Sequence, residues 1–185
     1  MPPKVKISKE DIIKAGIDII RKEGEVSINA RSIASHLNCS TQPVFSNFAT
    51  MEELQKEIIL YAHNLYLSFL ESEALSGKYP QYKAFGMAYI RFAKEEKNLF
   101  KMLFMSDRKG NKLPTTEDFE KSVKIIMEAN GVDKETATLI HLEMWTCVHG
   151  IASMIATSFL ELGSDLISDM LSNIYKGIKS VHSEV

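Results

Sequence analysis

Short polar side chains cluster around a proline in residues 36–48, which read HLNCSTQPVFSNF. Pro43 lacks an amide hydrogen, so it suits the first turn of a helix, where that hydrogen would have no partner within the helix. Val44 and Phe48 then fall at a helical spacing that predicts packing on other helices. The side chains predicted to remain exposed are Thr41, Gln42, Pro43, Ser46 and Asn47, with Phe45 at the edge. These donors and acceptors, with one aromatic ring, suit base edges, a thymine methyl group and phosphates.

Catalytic and metal-binding patterns are missing from the sequence. His141 and His149 are eight residues apart, so on one helix they lie about 12 Å apart along the axis and cannot both ligate one ion. Cys39 and Cys147 have no metal or redox spacing and are expected to be reduced thiols. No Gly-rich phosphate loop and no Ser/His/Asp or Cys/His signature is present. We therefore expect no enzymatic activity, no metal and no cofactor.

The elements that carry these residues are predicted to be helices. Apolar residues recur at spacings of three and four, which predicts an all-α fold. In the first helix, Ser8 and Asp11 form a predicted capping box, and Gly24 ends the helix. A second helix is predicted over residues 28–37, with Ser27 as its N-cap. A third helix follows after only NCS, and this arrangement matches a helix-turn-helix unit.

The rest of the chain continues with the same periodicity. Because the residue before a proline is disfavoured in the helical region, the N-cap of the third helix is either Ser40 or Gln42. Thr50 and Glu53 form a further predicted capping box that starts a long helix. Later helices are predicted over residues 81–94, 97–105, 116–130, 134–161 and 165–182. The predicted organisation is a small helical unit, residues 1–50, joined by the long helix to a larger bundle within residues 51–185.

The charge balance limits the classes of partner. The 185 residues carry 22 Lys or Arg and 24 Asp or Glu, a formal net charge of -2, which argues against a polyanion-binding surface over the whole protein and leaves a local patch open. We find no 18-residue apolar run that indicates a membrane span, and the N-terminus lacks the apolar core of a signal peptide. A cytoplasmic location is expected.

The run from IIKAGIDIIRKEG through SINARSIASHLNCSTQPVFSNFATMEEL resembles the N-terminal DNA-binding domain of the TetR family of bacterial transcriptional regulators. The residues that carry this resemblance are Ala15 and Gly16, Ile33 and Ala34 with Leu37, Phe45 with Phe48, and Met51, Glu52, Glu53 and Leu54. Phe45 and Met51 replace the usual tyrosine and lysine, which removes a hydroxyl and a cation that would reach phosphates. Non-specific DNA binding is therefore expected to be weakened.

The resemblance implies which residues contact double-stranded DNA. Arg31 stands near the start of the second helix, at a place where family members reach a guanine. The predicted DNA-binding residues are Ser27, Arg31, Thr41, Gln42, Pro43, Phe45, Ser46 and Asn47. Lys4, Lys6 and Lys9 are interpreted either as a basic arm over the DNA backbone or minor groove or as a solvated tail.

Two downstream runs, MAYIRFAKEEKNLFKMLFM and EMWTCVHGIASMIATSF, resemble the ligand-binding domain of one TetR branch. This branch is named for Trp-His-Gly residues, which stand here as Trp145, His149 and Gly150. The predicted pocket for a small-molecule effector consists of Tyr89, Phe92, Phe104, Met144, Trp145 and His149. Trp145 is expected to be a core residue that also lines the pocket. The composition suits an apolar or aromatic effector, although any core of this size has a similar composition.

The last two predicted helices are apolar on more than one side, which indicates a homodimer. The predicted interface consists of Ile151, Ile155, Ile167, Met170, Leu171, Ile174 and Ile178. A two-fold dimer implies a pseudo-palindromic operator. The resulting hypothesis is a ligand-released repressor. The alternatives are a helical small-molecule carrier or enzyme without DNA binding, and a helical scaffold that binds protein.

Overall fold

A computed structural model of the chain describes residues 7–106 and 115–182, and all regular structure in these ranges is helical. In chain order the helices are α1 (Lys9–Glu23), α2 (Ala30–His36), α3 (Gln42–Asn47), α4 (Met51–Leu75), α5 (Gln81–Glu95), α6 (Lys97–Phe104), α7 (Thr115–Asn130), α8 (Lys134–Ala156) and α9 (Ser164–His182), with a 3-10 turn at Glu25–Ser27. The prediction of an all-α fold is confirmed.

The helices form two compact units. The N-terminal unit contains the described residues up to Leu67 together with Glu96–Ser106, and the C-terminal unit contains Ser68–Glu95 with the described residues after 106. The chain thus passes from one unit to the other within α4, between α5 and α6, and after α6. The division into compact units does not test the predicted boundary between a DNA-binding domain, residues 1–50, and a ligand-binding domain, residues 51–185. That boundary stays a prediction.

α1 begins at the predicted capping box. The Ser8 hydroxyl oxygen accepts a hydrogen bond from the Asp11 amide at 3.1 Å, and the Asp11 carboxylate accepts one from the Ser8 amide at 2.9 Å. The Ser8 hydroxyl also donates to the Asp11 carboxylate at 2.7 Å, and this bond, together with the one from the Ser8 amide, holds the pKa of the Asp11 carboxyl below its usual value. The helix ends at Gly24, which has a φ of 88° and donates its amide to the Ile20 carbonyl.

α2 begins later than predicted, and Ser27 is not its N-cap. The Asn29 side-chain oxygen accepts hydrogen bonds from the amides of Arg31 and Ser32, both at 3.0 Å, so Asn29 caps the helix. The Ser27 carbonyl instead accepts a hydrogen bond from the Ser32 hydroxyl at 2.8 Å. Both Ser27 and Asn29 are favourable capping residues, but Ser27 is the last residue of the 3-10 turn, so α2 starts after it and Asn29 takes the N-cap position.

Pro43 occupies the first turn of α3, as predicted. Thr41 is the N-cap and supplies no side-chain hydrogen bond, so both predicted caps, Ser40 and Gln42, are wrong. The capping box at the start of α4 is present in altered form. The Thr50 hydroxyl accepts the Glu53 amide at 3.2 Å, whereas the Glu53 carboxylate accepts the amide of Ala49 at 2.7 Å.

The core of the N-terminal unit is built from the apolar faces of α1, α2, α4 and α6. Its largest fully buried aliphatic and aromatic side chains on these helices are Ile12, Ile17, Ile20, Ile33, Leu54, Ile58, Leu99, Phe100 and Leu103. Val44 and Phe48 are also buried, as predicted, and they anchor α3 and its C-cap in this unit.

In the C-terminal unit, α5 packs on α8 and α9. A Cβ atom at Gly86 would lie 3.3 Å from a Leu171 methyl carbon and 3.4 Å from one of Val148, so this position has little room for a side chain. α8 is shorter than the predicted range 134–161. It ends at Ala156, and Ser158 follows with a φ of 59°, outside the helical region.

By length and composition alone, α8 is long and apolar enough to cross a membrane. A core helix of a soluble protein satisfies the same criteria. Here eight of its side chains are buried in the fold: Ala137, Ile140, Met144, Val148, Ile151, Ala152, Ile155 and Ala156.

The close approach of α1 to α4 yields a stability prediction. A Cβ atom at Gly16 would lie 2.5 Å from the terminal methyl carbon of Ile58 and 3.2 Å from its Cγ1. Gly16→Val adds three carbon atoms there, and we expect the free energy of unfolding to fall by about 1–3 kcal/mol. Lys22→Val is the control, because Lys22 is exposed on the same helix and the change costs only about 0.5 kcal/mol of helix propensity. Urea unfolding followed by circular dichroism measures both, and equal losses would contradict the prediction.

Candidate nucleic-acid interface and effector region

The outer surface of the helix-turn-helix carries most of the predicted DNA-binding side chains. Arg31, Gln42, Phe45 and Ser46 are exposed, and 54% of the Phe45 surface is accessible. The partly exposed members of the set are Ser27, Thr41, Pro43 and Asn47. An aromatic residue this exposed on a short helix is not part of the core, in keeping with its predicted place at the edge of the exposed surface.

Arg31 is placed on the first turn of α2 by the Asn29 cap, which binds the Arg31 amide. Its guanidinium makes no hydrogen bond or ion pair with any residue in the described ranges. A guanidinium can make bidentate hydrogen bonds to a guanine edge. The position and free donors of Arg31 therefore suit direct base recognition.

Two of the predicted contact residues also bond within the protein. The Ser46 hydroxyl donates to the Gln42 carbonyl at 2.8 Å, which leaves its oxygen as an acceptor. The Asn47 amide nitrogen donates to the Pro43 carbonyl at 2.8 Å and, more weakly, to the Ile7 carbonyl at 3.4 Å. Asn47 thus uses its donors to connect α3 with the segment before α1, a role that its sequence position alone does not indicate.

Lys9 is part of α1, so the interpretation of this residue as part of a basic arm is wrong. Its ammonium group lies 3.6 Å from the Glu53 carboxylate and 5.0 Å from the centre of the Phe48 ring. Lys4 and Lys6 lie outside the described residues. Residues 7–50 contain five Lys or Arg and five Asp or Glu. The first 50 residues contain seven Lys or Arg and five Asp or Glu, so their positive excess comes from Lys4 and Lys6.

In the C-terminal unit, three of the predicted effector-site residues meet. The Tyr89 hydroxyl lies 2.8 Å from Nδ1 of His149, and the indole of Trp145 stacks on the His149 ring with a centroid distance of 5.3 Å and an angle of 19°. Tyr89 is buried, whereas Trp145 is 48% exposed. The expectation that Trp145 is a core residue is therefore wrong, because it lies at the exposed edge of α8.

The remaining predicted pocket residues lie elsewhere. Phe92 and Met144 are buried within the fold. Phe104 belongs to the N-terminal unit, where its ring centroid is 5.1 Å from that of Tyr66. That all six residues line one pocket therefore stays a prediction. The structure brings three of them together in a cluster of Tyr89, His149 and Trp145.

An open groove of about 520 Å³ lies between α8 and α9. It is lined by Glu143, Thr146, Cys147, Ile174, Gly177, Ile178 and Val181. None of the predicted pocket residues lines it, but Ile174 and Ile178 from the predicted dimer interface do. Nε2 of His182 lies 3.1 Å from a carboxylate oxygen of Glu143.

A second tyrosine–histidine pair lies between α5 and α8. The Tyr82 hydroxyl is 2.9 Å from Nδ1 of His141, and burial lowers the pKa of His141 to about 4 and raises that of Tyr82. Asn130 donates to the hydroxyl of Tyr175 at 2.8 Å, beside the same cluster. His141 and His149 thus have separate tyrosine partners, and no group of three metal-ligating side chains occurs in residues 7–106 and 115–182.

The predicted dimer residues divide into two groups. Ile151, Ile155, Ile167 and Leu171 are buried within the single chain, so their assignment to an intermolecular interface is corrected, because they form the core between α8 and its neighbours. Met170, Ile174 and Ile178 are partly exposed. The exposed apolar side chains of α8 are instead Leu139, Leu142, Trp145 and Met154.

The stacked pair of Trp145 and His149 yields a pH prediction. Burial holds the pKa of His149 below its ordinary value of 6.5. Unfolded His149 takes up a proton near pH 6.5 and the folded protein only at lower pH, so the free energy of unfolding falls as the pH drops below about 6.5. Because Trp145 is the only tryptophan, its emission should change as His149 titrates, with a midpoint below pH 6.5.

His149→Gln is the control and should abolish the transition. A fluorescence titration that shows the same midpoint in wild type and in His149→Gln would contradict the assignment.

Residues 82–172 match the family described as Tetracyclin repressor-like, C-terminal domain. No curated protein matches the chain. The description of the matched family does not name the Trp-His-Gly branch, which stays a prediction.

Among solved structures, a TetR-like transcriptional regulator from Rhodococcus sp. RHA1 has a TM-score of 0.70 at 15% identity, over 95% of this chain and 96% of that chain. A TetR family protein from Vibrio parahaemolyticus has a TM-score of 0.63 at 14% identity, over 90% of this chain and 96% of its own. The multidrug binding protein EbrR, solved with imidazole, has a TM-score of 0.62 at 14% identity, over 90% and 93%. Residues 82–172 thus resemble a tetracycline-repressor-like C-terminal domain, and the chain shares the all-α fold of these solved TetR-type structures.

Proposed function

We propose that this protein is a DNA-binding repressor that acts as a homodimer and leaves its operator when a small molecule binds. The observation that carries the proposal is the surface of α3. Gln42, Phe45 and Ser46 are exposed there, on a helix whose other side is held by buried Val44 and Phe48. Polar groups presented on a rigidly held helix are what base recognition in the major groove requires.

The charge distribution favours recognition of bases over attraction to the backbone. Residues 7–50 carry equal numbers of basic and acidic side chains. Few phosphates can then be neutralised, so the affinity should depend only weakly on salt. Specificity is assigned to Arg31 and Gln42, and the phosphate contribution to Lys4 and Lys6.

The proposed dimer uses the exposed side of α8 together with the groove to α9. Leu139 and Leu142 present apolar surface there, and a Cβ atom at Gly150 or Gly177 would meet nothing within 4 Å, so a helix of a second copy has space to approach. A two-fold axis between the copies would place two α3 helices in successive major grooves, about 34–36 Å apart, on a pseudo-palindromic site. The protein would act in the cytoplasm, where its operator is.

The proposed effector binds in the C-terminal unit beside Tyr89, His149 and Trp145. The exposed indole offers a stacking surface, and the imidazole offers a hydrogen-bonding group next to it. EbrR, which has the same fold, is described as a multidrug binding protein. These observations support an apolar or aromatic effector. A ligand that prefers the state of this unit in which the protein binds its operator less well lowers operator affinity. The size of the effect is set by the difference between the ligand's affinities for the two states.

Selection from a library of duplexes with about 30 randomised base pairs tests DNA recognition and does not require a known operator sequence. We expect enrichment of a site with two inverted half-sites, about one helical turn apart. If the selection gives no enrichment over a protein-free selection, sequence-specific binding is excluded.

In the selected duplex, Arg31→Ala should lose about 1–3 kcal/mol of discrimination at one base pair in each half-site.

Lys22→Ala is the matched control, because it removes an exposed cation of the same unit away from α3. It should weaken binding to matched and mismatched duplexes equally. Fluorescence anisotropy with duplexes that carry single substitutions measures the difference, and an equal loss in both variants would remove Arg31 from base recognition.

The dimer is tested by Leu142→Glu. Leu142 is 42% exposed on α8, and burying a carboxylate against a second copy is unfavourable. We expect the dimer dissociation constant to rise at least about tenfold, which corresponds to about 1.4 kcal/mol. Leu75→Glu changes an exposed leucine of α4 and should leave dimerisation unchanged. Sedimentation velocity measures both, and an unaltered dimer in Leu142→Glu would place the interface elsewhere.

A further inference from the structure

α6 is held at both ends by the segment that contains α1 and the following turn. At its start, Nε and Nη2 of Arg21 donate to the two carboxylate oxygens of Glu96 at 2.9 and 2.7 Å. The Asn98 side chain donates to the Arg21 carbonyl at 3.0 Å. After its end, the Ser106 hydroxyl donates to the Glu25 carboxylate at 3.1 Å. These bonds add to the apolar packing between α1 and α6.

The Arg21–Glu96 pair has the geometry of a strong interaction. Two parallel N–H to oxygen bonds between charged groups fix both distance and direction. The Glu96 side chain is only 15% exposed, so water competes little for its oxygens. The pair joins residues that are 75 positions apart.

The Glu96 side chain binds Arg21 and therefore does not cap its own helix. Glu96 is the N-cap residue of α6, but its side chain makes no capping hydrogen bond. N-caps are usually Ser, Thr, Asp or Asn, whose short side chains bind the first free amides. The start of α6 is therefore held by the side chain of Arg21 rather than by a cap of its own.

Glu96 is also the residue at which the chain returns to the N-terminal unit. Glu95, the last residue of α5, belongs to the C-terminal unit. α5 carries Tyr89, which bonds to His149. Glu95 thus ends a helix that contributes to the candidate effector region, and the next residue, Glu96, binds Arg21 of α1.

We propose that Arg21 and Glu96 are positioning residues that couple operator binding to the state of the C-terminal unit. A displacement of the end of α5 moves Glu96, and through Arg21 it moves α1 with the α2 and α3 helices that it supports. The coupling rests on the proposed function, because it regulates operator binding. Linkage makes it reciprocal, so operator binding must change the C-terminal unit as well.

The reciprocal direction can be measured without knowing the effector. Trp145 is the only tryptophan and lies in the C-terminal unit. With the duplex selected from the random library, we expect operator binding by wild type to change the emission of Trp145. Arg21→Gln and Glu96→Gln should reduce this change to less than half, while their operator affinity stays within about fivefold of wild type, the lower end of typical coupling factors.

Lys14→Gln is the matched control. It also removes one positive charge from α1, but Lys14 pairs with Glu10 on the same helix and not with α6. Its Trp145 response should equal that of wild type. The charge-reversed double variant, Arg21→Glu with Glu96→Arg, should recover part of the response. Arg21→Lys keeps the charge and loses the fork geometry, so it should lose response even if the glutamine variants fold poorly.

The outcomes separate the coupling from the proposed function. Failure to select any duplex would overturn DNA recognition, and the coupling with it. Selection of a duplex with no change in Trp145 emission, or with an unreduced change in Arg21→Lys and Glu96→Gln, would overturn the coupling alone. A purely structural role for the pair would lower the thermal midpoint of the variants and leave the Trp145 response intact.

Discussion

The N-terminal unit depends on the burial of one face of α1. Ile12, Ile17 and Ile20 are almost completely inaccessible to water, and each fully buried isoleucine contributes about 1.5–3 kcal/mol. α2 and α6 pack on α1, and α4 approaches it at Gly16. Because these helices share one partner, the helix-turn-helix and α6 are parts of a single packed body. The Arg21–Glu96 pair joins α1 to the start of α6 within that body.

α3 has little stability of its own and depends on its neighbours. It has six residues, far fewer than an isolated helix needs in water, and its N-cap makes no side-chain hydrogen bond. Its conformation is maintained by Pro43 in the first turn, by burial of Val44 and Phe48, and by the bond from Asn47 to Pro43. The exposed polar groups on its other side, Gln42 and Ser46, are consequently held in one arrangement.

Local features were predictable from the sequence, whereas the partner of each apolar face was not. The capping box of Ser8 and Asp11 and the position of Pro43 depend on neighbouring residues, and both are present. The periodicity of α8 and α9 showed apolar faces but could not distinguish burial within one chain from burial against a second copy. Ile151 and Leu171 therefore belong to the core instead of the surface, and Trp145 is exposed. The end of α8 was also misplaced, because apolar residues continue past Ala156.

Residue types and short spacings along the chain were enough to establish the helical class, the order of the helices, the capping box of α1 and the resemblance to a regulator family. These properties depend on spacings of three or four residues and on single residue types. Tertiary packing was needed to establish which distant side chains meet, such as Tyr89 with His149, 60 positions away, and Arg21 with Glu96, 75 positions away. The physical reason is that helix periodicity gives the direction of a side chain from its own axis, but the neighbouring helix it reaches is chosen by the packing of whole helices.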